Sequence, residues 1–234
     1  MSAKLSVITS KSKAILFDFD GVIADSELIH MRTFFEILSE TPFAKTIKPI
    51  SIETWFKEYS GTGSHEIFKR ILKDAGVPEN AYDLDNLVKR RHTLFLSYLD
   101  QGLINEKRGF SVFFKKIKSR GIKTAIVSGG HSHYILRILE KLGLNPNSSS
   151  FDAIVTSEST KERKPNPGPF LFAAKKLGVE PKDCLVIEDS VSGSIAAKRA
   201  GMRLVVMKSP AAAFLYDFDL IINNFTEFPL EELL

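Results

Sequence analysis

Cysteine is almost absent from this sequence of 234 residues, and the one present is Cys184. A single cysteine cannot form a disulfide within the chain, which excludes a disulfide-stabilised fold. It lies in the apolar run Cys184-Leu185-Val186-Ile187, where we expect a buried and unreactive thiol. The composition therefore speaks against cysteine-based catalysis.

Long hydrophobic runs are also missing. No segment approaches the roughly 20 consecutive apolar residues that a membrane-spanning helix needs. Residues 1–13 contain neither a long apolar core nor a small-residue cleavage site of the kind found in secretory signals. We expect no membrane partner and a cytoplasmic location.

A strong excess of one charge is lacking as well, because 32 Lys+Arg oppose 28 Asp+Glu for a formal net charge of +4. The basic clusters, Lys89-Arg90-Arg91 and Lys115-Lys116, fall in stretches with helical patterning. We interpret them as solvated helix faces, since nucleic-acid binding needs a concentrated basic stripe. No nucleic-acid partner is expected.

The apolar residues that are present predict two kinds of structure. The run Ala14-Ile15-Leu16-Phe17 is typical of a strand buried on both faces of a parallel sheet. From residue 110 onward, helices predicted at 110–119, 131–142, 168–177 and 191–200 alternate with short strands at 123–127, 152–155, 185–187, 203–207 and 220–222. Repeated βα units imply an α/β fold, a Rossmann-like doubly wound parallel sheet with helices on both faces.

The region between the first strand and residue 103 contains no strand pattern. Amphipathic helices are predicted at 26–40, 52–59, 64–75 and 82–99, and Asp25 or Ser26 is expected to cap the first. We expect residues 1–25 and 104–234 to form the α/β core and residues 26–103 to form an inserted all-helical cap. Because the insert follows the first strand directly, it should lie above the end of that strand.

Polar residues follow four of the predicted strands. Open α/β sheets bind ligands at the carboxyl ends of their strands, so these groups should meet. A buried carboxylate pair needs a cation, a shared proton or water, and a divalent metal is the simplest answer. Glycine-containing turns before helices suit phosphate. In chain order the groups are Asp18-Phe19-Asp20-Gly21, Ser128-Gly129-Gly130, Lys164 with the stiffening prolines Pro165 and Pro167 after it, and Glu188-Asp189-Ser190.

This ordered set resembles the haloacid dehalogenase superfamily, most of whose members transfer phosphoryl groups. The pattern Asp-x-Asp-Gly-x-x-x-Asp-Ser is met by Asp18, Asp20, Gly21, Asp25 and Ser26, and the resemblance runs from Ala14 to about Met207. The helical insert is similar to the cap of the β-phosphoglucomutase and phosphoglycolate phosphatase branch.

The resemblance implies a Mg²⁺-dependent phosphatase that acts on a small phosphorylated metabolite through an aspartyl phosphate. It implies that Asp18 is the nucleophile, that Asp20 is the general acid and base, and that Lys164 offsets charge during catalysis. Phosphate would be bound by Ser128, Gly129 and Lys164. The metal would be held by Asp18, Asp20 (through its main-chain carbonyl), Glu188 and Asp189, and the charges of the site balance with Mg²⁺ if Asp20 is protonated.

Alternatives stay open at this point. Asp20 favours phosphate esters over the dehalogenation and phosphonate reactions of the superfamily, which need no acid at that position. His30 matches a histidine of β-phosphoglucomutases, so a phosphomutase is the main alternative. Mutases of this branch hold a second phosphate with an arginine, and the corresponding position in this sequence is Ser64. The missing arginine favours hydrolysis, although His65, His131 or Arg163 could take its place.

Substrate contacts from the cap and its surroundings are expected at His30, Gly61, Ser64, His65 and His131. For His92 and His133 we expect plain surface positions. The alternative from a different functional class is a non-catalytic binding protein with the same fold. The sequence specifies neither the substrate nor the oligomeric state, and a monomer is compatible with it.

Overall fold

The computed structural model describes residues 12–144, 151–210 and 217–230. Six strands in these ranges form one sheet in the order β3-β2-β1-β4-β5-β6, and every neighbouring pair is parallel. The strands are β1 (Ala14–Phe17), β2 (Lys123–Val127), β3 (Ala153–Val155), β4 (Cys184–Glu188), β5 (Arg203–Met207) and β6 (Leu220–Ile222). The predicted parallel sheet is confirmed, with β1 at its centre.

Eight α-helices lie in the described ranges. Four of them precede β2 within the insert, namely α1 (Glu27–Ser39), α2 (Ile52–Glu58), α3 (Ser64–Asp74) and α4 (Leu84–Asp100). The other four alternate with strands, namely α5 (Phe110–Ser119), α6 (Ser132–Lys141), α7 (Gly168–Leu177) and α8 (Val191–Arg199). Each predicted helix is present, with ends that differ by at most two residues.

Apolar clusters on the two faces of the sheet explain why it is doubly wound. Alternate residues of β1 point to opposite sides, so Ile15 and Phe17 join a cluster with α5 and α6. Leu16 joins a second cluster with α7 and α8. Both faces of the central strand are therefore covered, as its uninterrupted apolar sequence predicts.

The helical insert has its own hydrophobic cluster, in which large side chains such as Phe34, Trp55 and Phe68 are almost fully buried. A separate apolar core is what an independent layer above the sheet requires. The predicted fold class, an α/β core with an inserted all-helical cap, is confirmed. None of the helices in the described ranges has the length and apolar character that crossing a membrane requires.

Two short segments join the cap to the sheet, and they run side by side. Asp25 N–H donates to Asn105 O at 2.9 Å, and Lys107 N–H donates to Ile23 O at 2.8 Å. The Lys107 ammonium also lies 2.7 Å from the Asp25 carboxylate. We call residues 23–25 and 105–107 the connecting ribbon.

Candidate active site

The ends of β1 and β4 bring the first acidic residues together. Asp18 directly follows β1 and Glu188 is the last residue of β4, and the register pairs Phe17 with Ile187. Asp18 N–H continues the ladder by donating to Ile187 O at 2.9 Å. Parallel register therefore places two carboxylates that are distant in sequence at the same level of the sheet.

Asp18, Glu188 and Asp189 form a buried acidic cluster. One carboxylate oxygen from each lies within 4.8 Å of the other two. The three residues are 9%, 0% and 3% exposed. The predicted meeting of acids from two strands is thus observed, at a separation that a single cation can bridge.

Lys164 is the cation that this cluster contains. Its Nζ lies 2.5 Å from Asp18 Oδ1 and 2.6 Å from Glu188 Oε1, and it donates to Val127 O at 2.9 Å. Burial alone would lower the pKa of Lys164, but the two carboxylates outweigh burial and raise it. The side chain is therefore a permanent ammonium group that touches Asp18.

Close packing of main chain and carboxylates depends on two glycines. Gly21 has a φ of +81°, and a Cβ there would lie 2.0 Å from Asp189 Oδ2. A Cβ on Gly193 would lie 1.6 Å from Glu188 Oε1. Glu188 is held further by Ser190, whose N–H and hydroxyl donate to Oε2 at 2.8 and 2.9 Å.

The electrostatics of the cluster fit a divalent cation. Burial raises the pKa values of Asp18 and Asp189 well above their ordinary range, and Glu188 adds to the effect, while Lys164 opposes it for Asp18. Within the described part of the chain, Lys164 is the only direct ion-pair partner of these three carboxylates. Oxygen ligands with surplus negative charge suit Mg²⁺.

Asp20 lies beside the cluster but its side chain points away from it. Oδ1 accepts hydrogen bonds from Ser26 Oγ at 2.5 Å, His30 Nε2 at 2.9 Å and Tyr134 OH at 3.0 Å. Burial opposes ionisation, but the interaction with His30 and the three hydrogen bonds outweigh it and lower the pKa of Asp20. These contacts favour the carboxylate form of Asp20, whereas the charges of the site balance with Mg²⁺ only if Asp20 carries a proton.

Ser26 behaves differently from the sequence prediction. It is the N-cap residue of α1 by position, but its side chain makes no capping hydrogen bond. The hydroxyl donates to Asp20 instead. The expected capping role of Ser26 is wrong, because its backbone is helical rather than extended and its hydroxyl is directed at the Asp20 carboxylate instead of accepting from the helix N–H groups.

The turn after β2 has the geometry expected of an anion-binding loop. Ser128 is buried and its Oγ accepts from Gly130 N–H at 3.0 Å. A Cβ on Gly129 would meet nothing within 4 Å, so the main chain there is open to a ligand. Ser128 and Gly129 both line the cavity above Asp18.

A cavity of about 620 Å³ separates the sheet from the cap. Its floor includes Asp18, Asp20, Lys164 and Asp189. The cap closes on it through the turn 60–63, where a Cβ on Gly61 would lie 3.1 Å from Ser192 Oγ. The volume accommodates a small molecule and little more.

The five expected substrate contacts all line this cavity, but their surroundings differ. His30 is bonded to Asp20 and Tyr134. His65 pairs with Asp85 at 3.0 Å and His131 with Glu158 at 3.3 Å, both at exposed positions. The remaining members of the set, Gly61 and Ser64, belong to the turn and to the start of α3.

The lining residues that sequence reasoning did not propose for the site include Glu27, Arg91 and Tyr134. Arg91 is only 4% exposed, so the interpretation of its cluster as a solvated face is wrong for this residue. Its guanidinium contacts Thr33 Oγ1 at 3.1 Å and His30 Nδ1, and it lies over the Phe34 ring. The helical period of α4, which puts Arg91 on the side of the buried Val88 and Phe95, was the available signal.

His92 also departs from its expected surface position. It is half-buried and lines the cavity, with Nε2 at 3.5 Å from Ser64 Oγ. Burial, followed by the neighbouring Arg91, lowers the pKa of His92 to about 4. A neutral imidazole therefore faces the cavity at pH 7.

Comparison with known proteins agrees with this geometry. The model of the haloacid dehalogenase-like hydrolases matches residues 12–201. The chain is 32% identical over 224 residues to "Putative phosphatase YhcW" of Bacillus subtilis, which covers 95% of this chain and 96% of that protein.

Solved structures show the same fold. CbbY from Rhodobacter sphaeroides, crystallised in complex with phosphate, has a TM-score of 0.80 at 25% identity, covering 95% of this chain and 99% of that one. β-Phosphoglucomutase from Clostridium difficile has a TM-score of 0.76 at 24% identity, with 94% of each chain covered, and shows the fold alone. The predicted kind of enzyme is confirmed: the chain belongs to the haloacid dehalogenase-like hydrolase family.

Proposed function

We propose that this protein is a Mg²⁺-dependent phosphatase that hydrolyses a small phosphate monoester through an aspartyl phosphate on Asp18. The observation that carries the proposal is the pairing of Asp18 with a buried ammonium at 2.5 Å, below an open glycine turn. The phosphate bound in the structurally similar CbbY supports the same class of ligand. The phosphatase name of the relative YhcW points the same way.

The metal would be held by the carboxylates of Asp18, Glu188 and Asp189 and by the main-chain carbonyl of Asp20. When bound, Mg²⁺ supplies positive charge that stabilises phosphoryl oxygens and keeps the surrounding carboxylates ionised. The buried acidic cluster and its surplus negative charge support this assignment.

In the first half-reaction Asp18 attacks phosphorus and the bond to the ester oxygen breaks. The electron pair of that bond goes to the leaving oxygen, which takes a proton from Asp20 and departs as an alcohol. Lys164, with the Ser128 hydroxyl and the Gly129 N–H, holds the phosphoryl oxygens. Asp20 must gain a proton before this step, because its surroundings favour the carboxylate.

In the second half-reaction the ionised Asp20 accepts a proton from water. The resulting hydroxide oxygen bonds to phosphorus, and the bond from phosphorus to Asp18 breaks, so that Asp18 regains its electron pair. Inorganic phosphate leaves and Asp20 holds a proton for the next turnover. The lowered pKa of Asp20 favours the ionised form, which is the form that can accept this proton.

We further propose that residues 26–103 move as the cap, with residues 1–25 and 104–234 as the core, and that the enzyme acts in the cytoplasm. The separate hydrophobic cluster of the insert and the connecting ribbon support that division. The cavity volume supports a small phosphorylated metabolite as the substrate.

A phosphomutase of the β-phosphoglucomutase type is the second candidate. Its support is Arg91, a buried cation of the cap that lines the cavity and that sequence reasoning overlooked. A mutase would convert β-glucose 1-phosphate in the presence of β-glucose 1,6-bisphosphate without releasing phosphate. Stoichiometric phosphate release from sugar phosphates would exclude it.

The proposal is tested by phosphate release from 4-nitrophenyl phosphate and from a panel of sugar phosphates, with Mg²⁺ or with EDTA. We expect Mg²⁺-dependent turnover in the wild type and a loss of at least about 10³-fold in Asp18→Asn, since no carboxylate nucleophile remains. Asp100→Asn, at an exposed position of α4, is the matched control and should retain activity. Turnover in Asp18→Asn at the wild-type rate would refute the assignment.

A further inference from the structure

The two oxygens of Asp20 have very different surroundings. Ser26, His30 and Tyr134 all place a polar atom within 3.0 Å of Oδ1. No side chain in the described part of the chain forms a hydrogen bond with Oδ2. A carboxylate oxygen has two lone pairs, so Oδ1 is saturated and only Oδ2 can serve another partner.

Tyr134 is the member of this set that comes from the core. It lies on α6, one turn after the Ser128 loop, whereas Ser26 and His30 belong to the start of the insert. Its ring centroid is 5.2 Å from that of Phe95 and 6.0 Å from that of His30. Its hydroxyl lies 3.0 Å from Asp20 Oδ1 and 2.9 Å from His30 Nε2.

The hydrogen-bond directions in this group can be assigned. Arg91 contacts His30 Nδ1, and a guanidinium can only donate, so Nδ1 accepts and the ring proton resides on Nε2. His30 Nε2–H therefore donates to Asp20, and Tyr134 O–H donates its single proton to the same oxygen. Both donors act on Oδ1, His30 from the insert and Tyr134 from the core, and their donor atoms lie 2.9 Å from each other.

We propose that Tyr134 is a positioning residue that pins Oδ1 of Asp20, so that the proton exchanged with the leaving group and with water passes through Oδ2. This inference rests on the proposed function and concerns the same site. The Oδ2–H bond breaks as the leaving oxygen gains the proton, and it re-forms when water gives up its proton in the second half-reaction. All other bonds form and break as in the two half-reactions of the proposed function.

Tyr134→Phe separates positioning from packing, because phenylalanine keeps the ring against Phe95 and removes only the hydroxyl. A leaving group of low pKa departs without a proton, while an alkoxide needs one. Loss of positioning should therefore lower kcat/KM for an alkyl phosphate such as glycerol phosphate by about tenfold. For 4-nitrophenyl phosphate the loss should stay below about threefold.

Tyr98→Phe is the matched control. Tyr98 is a buried tyrosine whose hydroxyl bonds to Glu36 and not to Asp20. This variant should show the wild-type ratio of the two substrates. The melting temperature of both variants with Mg²⁺ reports any general loss of structure.

An equal loss on both substrates in a folded Tyr134→Phe, or no loss on either, would overturn the inference. If that variant does not fold, Ser26→Ala removes a different donor from Oδ1, and an unselective effect there also overturns it. The proposed function fails separately, by the absence of Mg²⁺-dependent phosphate release in the wild type.

Discussion

The residues of the acidic cluster are arranged at the expense of stability. Asp18, Glu188 and Asp189 share a buried corner in which Lys164 is their one direct counter-ion among the described residues. Like charges at this separation repel, and burial removes the solvent that would screen them. A chain selected only for stability would replace one of these carboxylates.

Asp189→Asn should therefore be more stable than the wild type in EDTA at pH 7, by at least about 1 kcal/mol, or roughly 2–4 °C in Tm. The folded-state pKa of Asp189 is raised, so ionisation costs stability as the pH rises from its unfolded value through the raised value. The advantage of the variant should shrink as the pH falls toward about 4, the ordinary range of aspartate.

Mg²⁺ should reverse the order of the two proteins. A ligand that binds only the folded state stabilises it, so the Tm of the wild type should rise with Mg²⁺ concentration and that of Asp189→Asn should not. Thermal melts with Mg²⁺ and with EDTA check both halves of the prediction. Equal Mg²⁺-dependent shifts in the two proteins would show that Asp189 is not a ligand.

At the scale of single elements, helix α4 carries two neighbouring arginines with unlike surroundings. Arg90 is exposed and pairs with Glu40. Arg91 is buried, bonds to Thr33 and His30, and lies over Phe34. The helix thus presents one cation to water and the next to the cavity.

Arg91→Met should lower kcat by about tenfold while the protein stays folded. Methionine fills a similar volume, and removing a buried charge is often tolerated, but His30 loses the donor that fixes its tautomer. Arg90→Met is the matched control. It should leave kcat unchanged and should alter the free energy of unfolding by no more than about 0.5 kcal/mol. Steady-state kinetics measure kcat for both variants, and thermal melts check that both are folded. Similar kcat values for the two variants would contradict the role given to Arg91.

The elements could be predicted from the sequence because each has a strong local signal. Strands such as β1 and β4 are short apolar runs, and the helices of the core are followed by glycines such as Gly121 and Gly178. The positions of Asp18 and Asp189 followed from their places directly after strands, and that of Lys164 from the loop that follows β3. These inferences needed no knowledge of tertiary contacts.

The partners of Asp20 could not be predicted in the same way. Tyr134 and Arg91 reach the site from helices 114 and 71 residues away from Asp20 in sequence, and their side-chain contacts depend on how those helices pack. Ser26 has the sequence signature of a helix cap and uses its hydroxyl elsewhere. Local patterns predict elements, whereas competition between hydrogen-bond partners is settled only in the folded chain.

On the scale of the whole molecule, the turn at Gly61 holds the cap against the core. Gly61 has a φ of +77° and lies close to Ser192. Gly76, in the same insert, has a φ of +72° with nothing within 4 Å of a Cβ. Both positions need a positive φ, but only Gly61 has a side chain, that of Ser192, close to where a Cβ would lie.

Gly61→Ala and Gly76→Ala should each lose about 1 kcal/mol of stability, because alanine is strained at positive φ. Only Gly61→Ala should raise KM, by several-fold, since its methyl group presses on Ser192 when the cap is closed. Thermal melts and steady-state kinetics on the two variants separate strain from closure. An unchanged KM in Gly61→Ala would show that this contact does not control access.

The connecting ribbon has a consequence for how such an enzyme can diversify. The chain enters and leaves the insert through two segments that an isolated antiparallel bridge holds about 5 Å apart, near Asp25 and Asn105. A different cap domain needs only two ends at that spacing to be inserted at this point, and the six strands of the sheet keep their register. Selectivity for new metabolites can thus be acquired by exchanging a cassette, while the reacting groups are inherited unaltered.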